Sequence, residues 1–153
     1  MKRTRRLAPV QQVFSATEQD RARDLGAARQ RVEAAQRKLA ELRQYRDDYA
    51  ATFENQARKG HGVAALRDFQ VFLARLDLAL RQQEQLVILA RDDEDAHKLR
   101  WQAAARRSRA LDTVVERWQG EERRQEDRRE QHQIDERAQR RRAAPTGETG
   151  DNQ

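Results

Sequence analysis

Cysteine is absent from the 153 residues, so neither a disulfide framework nor a thiolate metal site is open to this chain. Aromatic residues make up only 5%, and charged residues reach 38% against a usual share of about 25%. That balance cannot fill a thick core, but it can line one narrow seam along a helix. Proline occurs only at Pro9 and Pro145, so nothing from Leu25 to Ala144 is bound to break a helix. No apolar run approaches the roughly 20 residues that span a bilayer. The opening Met1-Lys-Arg-Thr-Arg-Arg-Leu-Ala-Pro-Val is basic but has no apolar h-region, so no secretory signal is expected. A charge of one sign is lacking too. The 32 basic residues are offset by 26 acidic ones, leaving a net charge of +6 and a pI near 10.4. The signs are interleaved, the pattern of solvated helix faces carrying i, i+4 pairs. Local basic clusters occur only at Lys2, Arg3, Arg5 and Arg6 and at Arg140 to Arg142, so nucleic acid is not favoured as the main partner.

What the chain has in abundance is Ala, Arg, Glu, Gln and Leu, all strong helix formers. Its apolar residues fall on a seven-residue repeat. The first phase reads Leu25, Ala28, Val32, Ala35, Leu39, Leu42, Arg46, Tyr49, Phe53, with eight of nine positions apolar or aromatic. The second runs from Leu66 and Phe69 through Leu73, Leu76, Leu80, Gln83 and Val87 to Leu111, Val115 and Trp118. Twelve of its sixteen positions are apolar, about twice the chance expectation. Such a phase indicates a coiled coil with these residues at a and d. Between the phases lies Arg58-Lys59-Gly60-His61-Gly62, whose two glycines supply the positive φ angles of a tight reversal.

The expected fold is therefore all-α, a long antiparallel two-helix coiled-coil hairpin with its turn near 58–62. Residue i should face about residue 120 − i, placing Phe53 near Arg67 and the run Asp92 to Asp95 near Arg23, Arg29 and Arg31. The hairpin should occupy 10–142, between a basic disordered N-terminus at 1–9 and a disordered tail at 143–153. From Gln119 to Arg142 only Ile134 and Ala138 are apolar, which predicts a polar helix partly unpaired. At 1.5 Å per residue the second helix would be on the order of 120 Å long.

No catalytic constellation is visible. The glycines form neither phosphate-binding loop pattern, and His61, His97 and His132 lie too far apart to share a metal. Neither cofactor, metal nor small-molecule substrate is expected, and the chain does not read as an enzyme. The polar seam residues Arg46, Gln83, Glu94, His97 and Ser108 would fix register at some cost in stability. Tyr45, Phe72, Ala79 and Leu86 fall at g positions beside the seam, with Val71, Ile88 and Leu89 elsewhere on the second helix. They either widen the packed stripe or form an exposed strip that docks a partner.

The run Leu39-x-x-Leu-x-x-Tyr45-x-x-x-Tyr49, then Gly60, then Leu66-x-x-Phe69-Gln70-x-Phe72-Leu73-x-x-Leu76-x-x-Ala79-x-x-x-Gln83 is similar to the flagellar export protein family FliJ. So are Trp101 with the later Leu111-Asp-x-Val-Val-Glu116-Arg117, and Gln133-Ile-Asp135-Glu136-Arg. The resemblance spans about Phe14 to Arg142. It implies a non-catalytic, cytoplasmic coiled-coil stalk of the flagellar type III export apparatus, touching the membrane only through its partners. Those partners would be the hexameric export ATPase FliI, whose assembly and activity it would promote, the cytoplasmic domain of the export gate FlhA, and export chaperones. The implied gate contacts near the hairpin tip are Tyr45, Tyr49, Phe72, Leu76, Ala79 and Gln83. The implied ATPase contacts near the terminal end are Phe14, Arg21, Glu116, Arg117 and Trp118. The virulence stalk proteins of the YscO/EscO type share the architecture, and a basic coiled-coil scaffold or nucleic-acid-binding protein is the alternative of another class.

Overall fold

The computed structural model describes residues 2–60 and 62–144, with nothing said of the Lys2 side chain. Two helices, α1 (Lys2–Arg58) and α2 (Val63–Ala143), pack antiparallel as a two-helix hairpin. There is no strand among the described residues. The last turn of α1 closes with Lys59 N–H donating to the Gln56 carbonyl and Gly60 N–H to the Ala57 carbonyl, at 3.0 and 3.2 Å. Gly60 sits at φ +87°, a left-handed value that a Cβ would strain. The Gly62 carbonyl then accepts from Ala65 N–H at 3.1 Å as α2 begins. His61 and the tail residues 145–153, for which a turn role and disorder are expected, lie outside the described residues.

The chain divides into two compact units, one of residues 14–107 and the other of residues 1–13 with 108–153. In the unit that carries the turn, the buried apolar residues are Leu25, Ala28, Val32, Leu39, Leu76, Leu80, Val87, Ala104 and Ala105. All but Ala105 lie on the heptad seam, because only a and d positions face the neighbouring helix. Leu39, Leu80 and Val87 form a cluster flanked by Ala35 and Leu42. Partner positions slip slightly from the simple arithmetic. Phe53 stacks on Phe69, two residues past the expected Arg67, because the reversal centres between Arg58 and Val63 and not on Gly60.

The second unit corrects an expectation. The segment 1–9 was expected to be disordered, yet α1 is helical from Lys2 and carries Pro9 within it. A proline inside a helix removes one backbone hydrogen bond, at a cost of about 3 kcal/mol. Contacts with α2 lie on both sides of Pro9 and act against this cost. Thr4 Oγ1 donates to Glu122 at 2.8 Å, Gln11 Nε2 donates to Asp112 at 3.1 Å, and the Arg3 guanidinium lies 5.7 Å from the Trp118 ring centroid. The heptad of α1 therefore continues backwards from Leu25, since Thr4, Leu7 and Gln11 are half-buried at the same 3-4 spacing. On α2, Ser108 and Val115 are buried and Leu111 and Trp118 half-buried, whereas every residue from Arg123 to Ala144 is exposed. The unpaired polar helix thus begins at Arg123.

Candidate partner-binding site

Near the turn the seam changes from aliphatic to aromatic. Phe69 stacks with Phe53 and with Tyr49 at centroid distances of 3.5 and 5.1 Å, both pairs with an 11° interplanar angle. Phe72 packs against Tyr49 at 4.5 Å and meets the Tyr45 ring edge-on at 6.4 Å. The five rings form a ladder that alternates between α1 and α2 and runs from seam to surface. Its inner end is half-buried, and its outer end, Tyr45, is 52% exposed. An edge-on pair such as Tyr45–Phe72 adds about 0.5–1.5 kcal/mol beyond area burial. A ladder that is rigid at one end and open at the other can anchor a partner with little loss of side-chain freedom.

Of the six residues implied as gate contacts, the structure brings Tyr45, Tyr49 and Phe72 together in this ladder. Ala79, one turn beyond Leu76, is half-buried. Leu76 and Gln83 stand differently. Leu76 is buried in the seam, and Gln83 is 4% exposed with its Nε2 donating to the Ala35 carbonyl at 2.9 Å. Both face α1, as d positions must, and neither offers its side chain to solvent. Phe72 is also not a free flank of the seam, because Tyr45 and Tyr49 already hold its ring.

Ion pairs bracket the ladder and the aliphatic seam. Arg46, a seam intrusion, turns its Nε to Asp77, Arg43 reaches Glu84 at 3.5 Å, and Arg29 reaches Glu94 at 3.6 Å. Arg31 donates to Asp93 at 2.8 Å. Arg23, expected to join them, pairs instead with Asp20 of its own helix at 3.6 Å. His97 turns Nε2 toward Asp93 at 3.4 Å. The Asp93 carboxyl is held below the ordinary carboxylate range, first by the Arg31 hydrogen bond and further by the charges of His97, Arg31 and Arg100, against a partial desolvation.

The residues implied as ATPase contacts are divided between the two units. In the turn-bearing unit Phe14 is half-buried and Arg21 is exposed, paired with Asp24 at 3.7 Å. In the other, Glu116 and Arg117 are exposed and Trp118 is half-buried under Arg3. The pairing of Thr4 and Gln11 with α2 escaped the sequence reading, because polar residues at a seam position leave no apolar repeat to find. Among the described residues no three His, Cys, Asp or Glu side chains are placed to hold a metal ion, and no helix is long and apolar enough to cross a membrane.

Compared with known proteins, residues 1–146 of the chain match the family model described as flagellar FliJ protein. No curated protein and no solved structure matches the chain.

Proposed function

The chain belongs to the flagellar FliJ protein family, a component of flagellar protein export, and from that premise we propose that it couples the export ATPase FliI to the export gate FlhA. In this reading the aromatic ladder docks on the cytoplasmic domain of the gate. The gate contacts are Tyr45, Tyr49, Phe72 and Ala79, while Leu76 and Gln83 hold the seam beneath them. The exposed polar helix from Arg123 onward enters the ATPase ring, promotes its assembly and raises its hydrolysis. Phe14, Arg21, Glu116, Arg117 and Trp118 contribute to the ring contact or to the helix pairing that supports it. Export chaperones are further partners, and the work is done at the cytoplasmic face of the apparatus. The chain itself supplies no catalytic group.

The observation that carries this reading is the contrast between a half-buried aromatic ladder that opens to solvent at Tyr45 and a polar helix whose residues are all exposed. An amphipathic aromatic surface suits a protein interface, and a helix polar all round suits a polar lumen. The experiment deletes residues 123–153, which leaves the Thr4–Glu122 contact in place, and measures hydrolysis by the purified export ATPase. The full chain should stimulate hydrolysis, and the truncated chain should stimulate it several-fold less while melting at nearly the same temperature. Full stimulation by the truncated chain would move the ATPase contact elsewhere.

A further inference from the structure

The face of α2 turned away from α1 carries an apolar strip of its own. Val71, Leu78 and Leu89 are exposed at 52, 54 and 60%. At 100° per residue these three lie within about 20° of one line along the helix. The positions on this line are Val71, Arg75, Leu78, Gln82, Gln85, Leu89, Asp92 and Ala96, with alternating steps of four and three. That is a second coiled-coil heptad, at the f and c positions of the first. All are exposed except Ala96, which is half-buried. Neither Arg75 nor Asp92 has an ion-pair partner among the described residues.

The order of these residues reads as its own complement. In an antiparallel coiled coil each layer sets one heptad position of one helix beside the other position of its partner. About a two-fold axis between Gln82 and Gln85, the layers become Gln82 with Gln85, Leu78 with Leu89, Arg75 with Asp92, and Val71 with Ala96. In these four layers apolar meets apolar, cation meets anion and amide meets amide, and symmetry repeats each layer once. The match ends at the next layer out, where Asp68 would stand beside Leu99. Moving the register by one heptad either way destroys the match. One shift sets Asp68 beside Asp92, and the other sets Arg75 beside Leu99 and Gln85 beside Leu89. We infer that this face is a self-association surface and that its occupant is the same face of a second copy of the chain, running antiparallel.

An isologous contact of this kind closes on itself and yields a dimer, not a filament. It spans only about seven turns of one helix, with two apolar layers on each side of the axis. It therefore falls among small interfaces, below about 1,200 Å², which dissociate readily. The association is weak and concentration-dependent, and the central glutamine and charged layers set register more than affinity. The seam and the aromatic ladder lie on other faces of the helices, so self-association does not depend on the coupling role.

The test is sedimentation equilibrium of the full chain over roughly 10 µM to 1 mM, the range in which so small an interface should dissociate. Circular dichroism confirms that each variant stays folded. The parent chain should shift from monomer to dimer, and Leu78→Asp with Leu89→Asp should remain monomeric with unchanged helicity. Arg75→Asp and Asp92→Arg should each weaken the dimer about tenfold, since each breaks two symmetric pairs. The doubly swapped chain should recover most of that loss, because the pair is re-formed with its signs exchanged. A parent chain that is monomeric throughout overturns the proposal. So does a dimer that survives the leucine changes, or a charge swap that restores nothing.

Discussion

In residues 14–107 the two helices meet through leucines, valines and stacked aromatic rings. In the unit formed by 1–13 and 108–153 they meet at Thr4, Leu7 and Gln11 on α1 and at Ser108, Leu111, Val115 and Trp118 on α2. The heptad spacing is the same in both, so both are coiled coil. The difference lies in what occupies the a and d positions. The first unit removes aliphatic and aromatic surface from water, worth about 25 cal/mol per Å². The second buries only Val115 among its described apolar residues and half-buries Leu7, Leu111 and Trp118. It adds side-chain hydrogen bonds and an arginine over a tryptophan, which contribute little at such exposure. Geometry makes a helix pair, but seam chemistry decides how firmly it is held. The weaker unit is where α1 tolerates a proline and where α2 leaves its partner behind. Low stability of that kind is characteristic of segments that rearrange on binding.

That contrast can be broken most directly by cutting each seam. Leu80→Ala, in the centre of the Leu39–Leu80–Val87 cluster, should cost about 2–4 kcal/mol. Val115→Ala should cost about 1–2 kcal/mol and should reach the global melting temperature only in part if the two units unfold separately. Thermal unfolding by circular dichroism checks both changes, and equal losses would mean that the units are held alike.

A finer test lies at the ladder. Because Phe72 packs on Tyr45 and Tyr49, Phe72→Ala should lower stability by about 1–2 kcal/mol. A Phe72 standing free on an exposed strip would lose almost nothing. Tyr45→Ala, at the exposed end, should cost less stability than Phe72→Ala yet weaken gate binding by about 1 kcal/mol or more if the ladder is the anchor. Titration with the cytoplasmic domain of the gate, beside the melting curves, separates the two effects. Tight gate binding by Tyr45→Ala would remove the ladder from the interface.

The smallest expected effect is electrostatic. Asp93 has a depressed carboxyl pKa in the folded chain. A depressed carboxyl contributes stability that is fully present above its unfolded value of about 3.9 and is lost as the pH falls through its folded value. Arg31→Gln removes the main cause of the depression. The melting temperatures of parent and variant should therefore differ slightly at about pH 6 and converge toward about pH 2. Exposed pairs are screened, so the difference should also shrink in high salt. A constant gap at all pH values would assign the effect of Arg31 to packing.

The hairpin, its two phases and its turn were legible in the chain, since seven-residue spacing, double glycine and the lack of central proline act locally. Gly60 adopts the positive φ that its residue type allows. The g-position aromatics were legible as a feature but not as a ladder. Whether Phe72 faces solvent or Tyr49 depends on a register that only the packed pair of helices fixes.

Local periodicity and residue type by themselves determined that this chain forms two helices, where it reverses and which stripe is buried. They did so because each of those choices is settled within a few residues along the chain. The tertiary structure alone decided that α1 stays helical through Pro9 to Lys2, that Phe72 is held between Tyr45 and Tyr49, and that the free polar helix starts at Arg123. Those outcomes depend on which side chains of α2 stand across from α1. A polar seam residue such as Thr4 or Gln11 leaves no apolar mark in the sequence, and its role exists only once Glu122 or Asp112 is within hydrogen-bonding reach.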